Sequence, residues 1–120
     1  MNKEEMIQII SEAAFEEKAE EALVMEVADL TILAEAFVLI TGRNVNHNRS
    51  MADAIIDKLE EKGEKLLHND GYDEGRWIVL DYGNVIVHLF RQEERDYYKL
   101  EKLWGDAPQK ILQASQMAQQ

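Results

Sequence analysis

Cysteine is absent from the chain, proline occurs only once, and there is no long run of apolar residues. Without cysteine the protein forms no disulfide, offers no thiolate nucleophile and has no cysteine-ligated zinc site, which fits a reducing compartment. No apolar run approaches the roughly 18 residues that a membrane-spanning helix needs, and the N-terminus is too acidic for a signal or transit peptide. We therefore expect a cytoplasmic protein that does not enter a membrane.

Basic residues are also few: 13 lysines and arginines stand against 24 aspartates and glutamates, which gives a formal net charge of −11. An acidic surface repels phosphate backbones, so this balance disfavours broad nucleic-acid binding. It favours a basic protein partner, with the alternative that the charge only keeps the protein soluble. The length of 120 residues, 46% of them hydrophobic, predicts one globular domain.

The spacing of apolar residues predicts seven elements in the order α-β-β-α-β-β-α. They are a helix over 2–20, strands over 22–27 and 36–41, a helix that ends at Gly63, strands over 77–81 and 85–90, and a helix over 93–104. Either Ser50 or an earlier asparagine caps the second helix, and His47 is expected in an exposed loop before it. These elements predict the α/β class, with a mixed sheet flanked by helices. The domain covers 1–107, and the tail over 108–120 is expected to form a weak helix or to fray.

The two later strands form a predicted hairpin whose faces can be sorted from the sequence. The turn at Tyr82-Gly83-Asn84 allows Asp81 to pair with Asn84, or Tyr82 with Val85, and both registers give the same sorting. One face is aliphatic: Ile78, Leu80, Val85, Val87 and Leu89. The other face is mixed: Trp77, Val79, Asp81, Ile86, His88 and Phe90. We expect the aliphatic face in the core and the mixed face to form a binding surface.

The last predicted helix adds aromatic residues to this surface. Tyr97, Leu100 and Trp104 lie at i, i+3 and i+7 and so form one predicted stripe, with Leu103 beside Leu100. The leucines are expected to pack on the sheet, while packing and partner contact both remain open for the two rings. Because Trp, Tyr and Arg dominate the energy of protein contacts, we predict partner binding by one set of residues. The set is Trp77, Asp81, His88, Arg95, Tyr97, Tyr98 and Trp104.

The residues of this block resemble the ribosome silencing factors, also called the Iojap-related family. The matching pattern is Glu-Gly-x-Trp over 74–77, Leu-Asp-Tyr-Gly over 80–83, Val-x-Val-His-x-Phe over 85–90 and Arg-x-Tyr-Tyr-x-Leu-Glu-x-Leu-Trp over 95–104. The first half matches more loosely, through Phe-Val-x-Ile-Thr-Gly over 37–42 and Ala52-Asp53. The chain departs from the family pattern at Glu35-Ala36-Phe37, where an Asp-aromatic-Phe is usual, at Asn44, where a serine is common, and at Asn48, where an apolar residue is common.

The resemblance implies a fold similar to that of nucleotidyltransferases, and a function without catalysis or cofactor. Members of the family bind the large ribosomal subunit through ribosomal protein fourteen and block its joining to the small subunit. The resemblance therefore implies a translational repressor, and family members can be homodimers. Two other functions stay open at this point: a nucleotide-handling enzyme of nucleotidyltransferase type, and a self-associating interaction domain.

The candidate catalytic groups argue against an enzyme. His88 with Asp81 could serve as a base with its orienting carboxylate, but no nucleophile accompanies them, and a surface contact or a local hydrogen bond between them is the preferred interpretation. His47 and His68 lack metal-ligand spacing. Gly42 and Asn44 are similar to the Gly-Ser turn of nucleotidyltransferases, yet the Asp-x-Asp pair that holds Mg²⁺ is missing, and Asp70, Asp73 and Glu74 are wrongly spaced. Arg95 either pairs with a carboxylate within the fold or reaches across an interface.

Overall fold

Six strands form one mixed sheet in the protein, whose computed structural model describes residues 1–117. The strands are β1 (Glu21–Glu26), β2 (Ala36–Gly42), β3 (His68–Asp70), β4 (Trp77–Asp81), β5 (Val85–Arg91) and β6 (Gln109–Gln113). The helices are α1 (Lys3–Glu16), α2 (Val45–Glu61), α3 (Gln92–Tyr98), α4 (Leu100–Leu103) and α5 (Ala114–Met117). The strand order is β3-β4-β5-β2-β1-β6; β2 and β5 run parallel and the other neighbours are antiparallel. The predicted α/β class with a mixed sheet is confirmed.

Helices α1 and α2 cover one face of the sheet. Each helix begins at an asparagine cap: Asn2 accepts from the Glu5 amide and Asn44 accepts from the His47 amide, both at 2.8 Å. The apolar stripes of the two helices are fully buried against β1, β2, β4 and β5; they include Met6, Ile10, Met51, Ile55 and Leu59. This layer holds the main hydrophobic core. Of the two caps predicted for α2, the earlier asparagine is correct and Ser50 is wrong, because Ser50 lies inside the helix.

The β4–β5 hairpin has the second of the two predicted registers. Tyr82 donates its amide to the Val85 carbonyl at 3.0 Å, so Gly83 and Asn84 form a two-residue loop. Trp77 pairs with Phe90, and Val79 pairs with His88. Every residue of the predicted aliphatic face is 0% exposed and belongs to the main core. The predicted sorting of the faces is therefore confirmed.

The opposite face of the sheet is only partly covered, by α3 and α4. A smaller cluster of buried side chains lies there, and it includes Leu39, Phe90 and Leu100. On β4 the residues that point to this face are partly exposed, whereas those that point to the main core are buried. Trp77 and Trp104 pack against the rim of the smaller cluster without being enclosed. This half-covered face is the one that the sequence predicts as a binding surface.

The predicted continuous helix over 93–104 is wrong, because the chain breaks it at Lys99. This residue adopts a left-handed conformation (φ 50°, ψ 51°) and ends α3 by donating its amide to the Arg95 carbonyl. The reversal sends Leu100 into the smaller cluster and leaves Tyr97 and Leu103 exposed. Tyr97, Leu100 and Trp104 therefore do not form one stripe, and Leu103 does not pack on the sheet. No glycine or proline in the sequence marks the break.

We predict that Lys99→Gly stabilises the protein by about 0.5–1 kcal/mol. A left-handed residue with a Cβ costs about 1–2 kcal/mol of stability, and glycine avoids this cost. Part of the benefit is lost, because glycine also has more conformational freedom in the unfolded chain. Urea unfolding of the variant, compared with Lys99→Ala, measures the effect, because the alanine variant also removes the lysine side chain but keeps the Cβ. A glycine variant less stable than the alanine variant would contradict the prediction.

Contacts between distant parts of the chain correct two further expectations, one about the tail and one about His47. In the tail, Gln109–Gln113 is neither helical nor frayed, since it pairs antiparallel with β1 as the sheet's edge strand. The short helix α5 (Ala114–Met117) that follows agrees with the predicted weak helix. The last three residues, 118–120, lie outside the described part. His47 lies within α2 and is buried, so the predicted exposed loop is also wrong. Among residues 1–117, no helix combines the length and apolar character needed to cross a bilayer.

Candidate partner-binding face

An aromatic cluster on the half-covered face is centred on Trp77. The ring centroid of Trp77 lies 4.8 Å from that of Tyr98, 5.7 Å from Phe90 and 5.9 Å from His88. The distances to Phe90 and His88 follow from the register, because Phe90 is opposite Trp77 and His88 is its diagonal neighbour. The Trp77 Nε1–H donates to His88 Nδ1 at 3.0 Å, which fixes the indole in one orientation. Strands β4 and β5 thus hold the ring onto which α3 places Tyr98.

His88 lies beneath the aromatic surface and not on it. Its side chain is only 8% exposed, and burial lowers the pKa of its imidazole to about 4. Since Nδ1 accepts from Trp77, the neutral ring carries its hydrogen on Nε2. The Phe37 ring packs edge-on against it, 5.4 Å between centroids. His88 therefore acts on this face by orienting Trp77.

Asp81 serves the hairpin turn. Its Oδ1 accepts from the Gly83 amide at 2.7 Å, and the residue is paired with Ile86 across the hairpin. The local hydrogen bond predicted between His88 and Asp81 is wrong, because Val79 and not Asp81 stands opposite His88. The carboxylate of Asp81 is partly exposed at the turn end of β4, four residues along the strand from Trp77.

Arg95 is bound within the fold, which is the first of the two interpretations that the sequence leaves open. Its Nε donates to Glu101 Oε1 at 2.8 Å and its Nη1 donates to Thr41 Oγ1 at 2.7 Å. The guanidinium carbon lies 5.9 Å from the centroid of the Phe90 ring. Arg95 therefore connects α3 to α4 and to the end of β2, and holds the backbone that carries Tyr97 and Tyr98.

The predicted binding residues differ in how far they reach solvent. Tyr97 is 79% exposed and Tyr98 is 55% exposed, and their rings meet edge-on at 4.9 Å. Trp77, Asp81, Arg95 and Trp104 are partly exposed, and His88 is buried. We call Trp77, Tyr97 and Tyr98 the aromatic face. The structure brings these three together, while Trp104 packs on Phe37 further along the sheet, 5.4 Å between ring centroids.

Sequence reasoning missed three residues that support this face: Phe37, Thr41 and Glu101. Phe37 lies in β2, whose residues are apolar on both faces of the sheet. The alternation of polar and apolar residues therefore does not show which face its ring occupies. Thr41 and Glu101 gain their role only because Arg95 reaches both across the fold. The i, i+6 spacing of Arg95 and Glu101 matches no contact within one helix, so no local signal points to the pair.

A cavity of about 410 Å³ lies elsewhere, at the carboxyl ends of β2 and β5, and its lining mixes basic and acidic side chains. His47 at its edge is bound through both ring nitrogens: Nδ1 accepts from the Arg43 amide at 3.0 Å, so Nε2 carries the hydrogen and donates to the Glu17 carbonyl at 2.6 Å. Both nitrogens of the imidazole are thus used in hydrogen bonds within the fold. Within residues 1–117 no group of three or more His, Cys, Asp or Glu side chains could hold a metal ion.

Together, the fold and this face define an α/β protein with a mixed six-stranded sheet and an aromatic surface on its less covered side. The family model described as "Ribosomal silencing factor during starvation" matches residues 1–120. The chain belongs to this ribosomal silencing factor family, whose role is regulatory.

Individual relatives agree with the family match. A Bacillus subtilis protein named "Ribosomal silencing factor RsfS" is 36% identical over 108 residues, which cover 90% of this chain and 92% of that protein. A crystal structure of a Chromobacterium violaceum protein superposes with a TM-score of 0.84 at 30% identity and covers 88% of both chains. A mouse protein named "Mitochondrial assembly of ribosomal large subunit protein 1" is 27% identical over 92 residues, 74% of this chain and 40% of that protein.

Proposed function

We propose that the protein is a translational repressor that binds the large ribosomal subunit through ribosomal protein fourteen and blocks docking of the small subunit. The observation that carries this proposal is the aromatic face: two exposed tyrosines and a fixed indole on the half-covered side of the sheet. The family membership supports a role in silencing ribosomes, and the name of the mouse relative supports the large subunit as the target.

The aromatic face has the properties of an energetic centre for binding. Tyrosine and tryptophan offer large contact areas and lose little side-chain entropy when they are covered. Here much of that entropy is lost before binding, because Trp77 is held by His88, and Tyr98 leans on Trp77. Arg95 fixes the helix that carries both tyrosines. A pre-ordered surface loses less free energy on association than a flexible one.

Charge supports the same kind of partner. The chain carries a net charge of −11, so it attracts a basic protein over distances of about a Debye length and speeds the encounter. A ribosomal protein with an exposed basic surface provides that complement. The repression is then steric: a factor at about 100 times its dissociation constant opposes subunit joining by about 2.7 kcal/mol.

Sedimentation of the protein with purified large subunits tests the binding step. We expect Tyr98→Ala to weaken binding at least tenfold, because the exposed ring is at the centre of the aromatic face and its removal leaves the main core intact. The control is Gln8→Ala, which truncates an exposed side chain on α1, on the opposite side of the sheet. Equal affinity of the tyrosine variant and the wild type, with both proteins folded, would refute the assignment of this face.

A further inference from the structure

The loop between β1 and β2 exposes three aliphatic side chains that the core does not use. Ile32 is fully exposed, Leu33 is 69% exposed and Leu30 is about half exposed. Single exposed leucines are ordinary on protein surfaces, but several on one short loop form a patch that typically marks an interaction site. We call residues 28–34 the aliphatic loop.

Hydrogen bonds hold the aliphatic loop at its base and within its turn. Val27 donates its amide to the Glu35 carbonyl at 3.0 Å and closes the loop at its base. Leu30 donates to the Val27 carbonyl at 2.9 Å, and Leu33 donates to Thr31 Oγ1 at 3.1 Å. Val27 and Ala34, at the two ends, are buried. The exposed side chains are therefore displayed on an ordered backbone, which lowers the entropy lost on binding.

The loop lies on the same side of the sheet as the aromatic face, at the turn end of the hairpin. Val27 and Ala34 belong to the same buried cluster as Phe90, on the half-covered side of the sheet. The Glu35 amide donates to the Asn84 carbonyl at 2.8 Å, which ties the loop to the β4–β5 turn. A shallow cavity of about 390 Å³ separates the loop from this turn, beside the strand end that carries Asp81.

The charged side chains near the loop indicate which kind of partner it fits. Carboxylates of Asp29 and Glu35 flank the aliphatic side chains, and the nearby cation Lys3 is already paired with Glu26 at 2.7 Å. Two copies of this surface would bring like charges together, which disfavours self-association through the loop. A basic protein surface with an apolar recess complements both the charges and the aliphatic tip.

We propose that the aliphatic loop is a second contact surface for the same basic ribosomal protein, with Ile32 and Leu33 entering an apolar recess bordered by cationic side chains. This inference rests on the proposed function and extends it. The partner is then contacted at two places, by the aromatic face at the Trp77 end of the hairpin and by the loop at its turn end. Specificity follows, because a wrong partner would have to match an aromatic and an aliphatic contact at a fixed separation.

The double variant Ile32→Ser, Leu33→Ser tests the proposal by sedimentation with purified large subunits. Both side chains are exposed, so the double variant should unfold at the same urea concentration as the wild type. We expect binding to weaken about tenfold. Ile111→Ser is the matched control, because Ile111 is an exposed aliphatic residue on the edge strand β6, beyond β2 and β1 from the hairpin; it should bind within twofold of the wild type.

The possible outcomes separate the inference from the function on which it rests. If Tyr98→Ala weakens binding while the double serine variant binds like the wild type, the loop contact is refuted and the proposed function stands. If wild-type protein does not sediment with large subunits, both fail. Analytical ultracentrifugation tests whether a second copy of the chain binds the loop instead. If the wild type is a dimer and the double variant is a monomer, the loop serves self-association and the proposal is overturned.

Discussion

Replacing Trp77 with alanine should lower the unfolding free energy by about 3 kcal/mol and weaken binding to large subunits by about 2 kcal/mol, or roughly thirtyfold. The stability loss has two sources. The indole packs against Phe90 and Tyr98, with ring centroids 5.7 and 4.8 Å away, and these contacts disappear. The buried Nδ1 of His88 also loses its donor, which by itself costs about 1 kcal/mol. Trp77 is only half-buried, so the total stays near the lower end for a large aromatic residue.

The matched variant Trp77→Phe separates the ring from the hydrogen bond. A phenylalanine keeps an aromatic contact with Phe90 and Tyr98 but cannot donate to His88. We therefore expect it to lose about 1 kcal/mol of stability and less binding than the alanine variant. Urea unfolding and sedimentation of the three proteins measure both effects. If the Trp77→Ala variant is folded and binds large subunits with wild-type affinity, Trp77 supports the fold but does not contact the partner.

Acidification from pH 7 to pH 4 should destabilise the protein by an amount on the order of 3 kcal/mol through His88 alone. Burial lowers the pKa of His88 from 6.5 to about 4. Between these two values the unfolded chain binds a proton that the folded chain does not, so the stability contribution is complete above pH 6.5 and falls as the pH drops toward 4. Protonation of Nδ1 would also remove the acceptor that orients Trp77.

Unfolding by urea at intervals between pH 7 and pH 4.5 measures this dependence. Glu94 titrates in a different window: Arg91 lowers the pKa of its carboxyl group, so its contribution is lost only below the ordinary glutamate pKa of 4.5. The control is His88→Asn, whose amide oxygen can replace Nδ1 as an acceptor and does not titrate. Its stability should be nearly flat from pH 7 to pH 5, and an equally steep loss in both proteins would exclude His88 as the cause.

The sequence predicted the hairpin well because its information is local. Alternation along β4 and β5 and a two-residue turn at Gly83 and Asn84 determine which side chains share a face, whichever register the strands adopt. Strand β6 shows the opposite case. Its residues pair with β1, about 90 positions earlier in the chain, and nothing in the local pattern of Gln109–Gln113 indicates that partner.

The sequence predicts which residues lie near the binding face better than it predicts their burial and their positions relative to one another. The aromatic residues and their side of the sheet follow from the hairpin, and the exposure of Tyr98 agrees with that expectation. Burial of His88 depends on Phe37 from β2, and the separation of Tyr97 from Trp104 depends on the left-handed Lys99. Both effects arise from tertiary packing, since a lysine gives no helix-ending signal of its own.

Subunit joining in the presence of the protein tests the central proposal most directly. Purified large subunits are incubated with a saturating excess of the protein, small subunits are added, and the complete ribosomes are quantified on a sucrose gradient. We predict that the wild-type protein strongly reduces the complete-ribosome peak and travels with the free large subunit, and that Tyr98→Ala restores the peak. Formation of complete ribosomes at the same level with and without the wild-type protein would contradict the proposed repression.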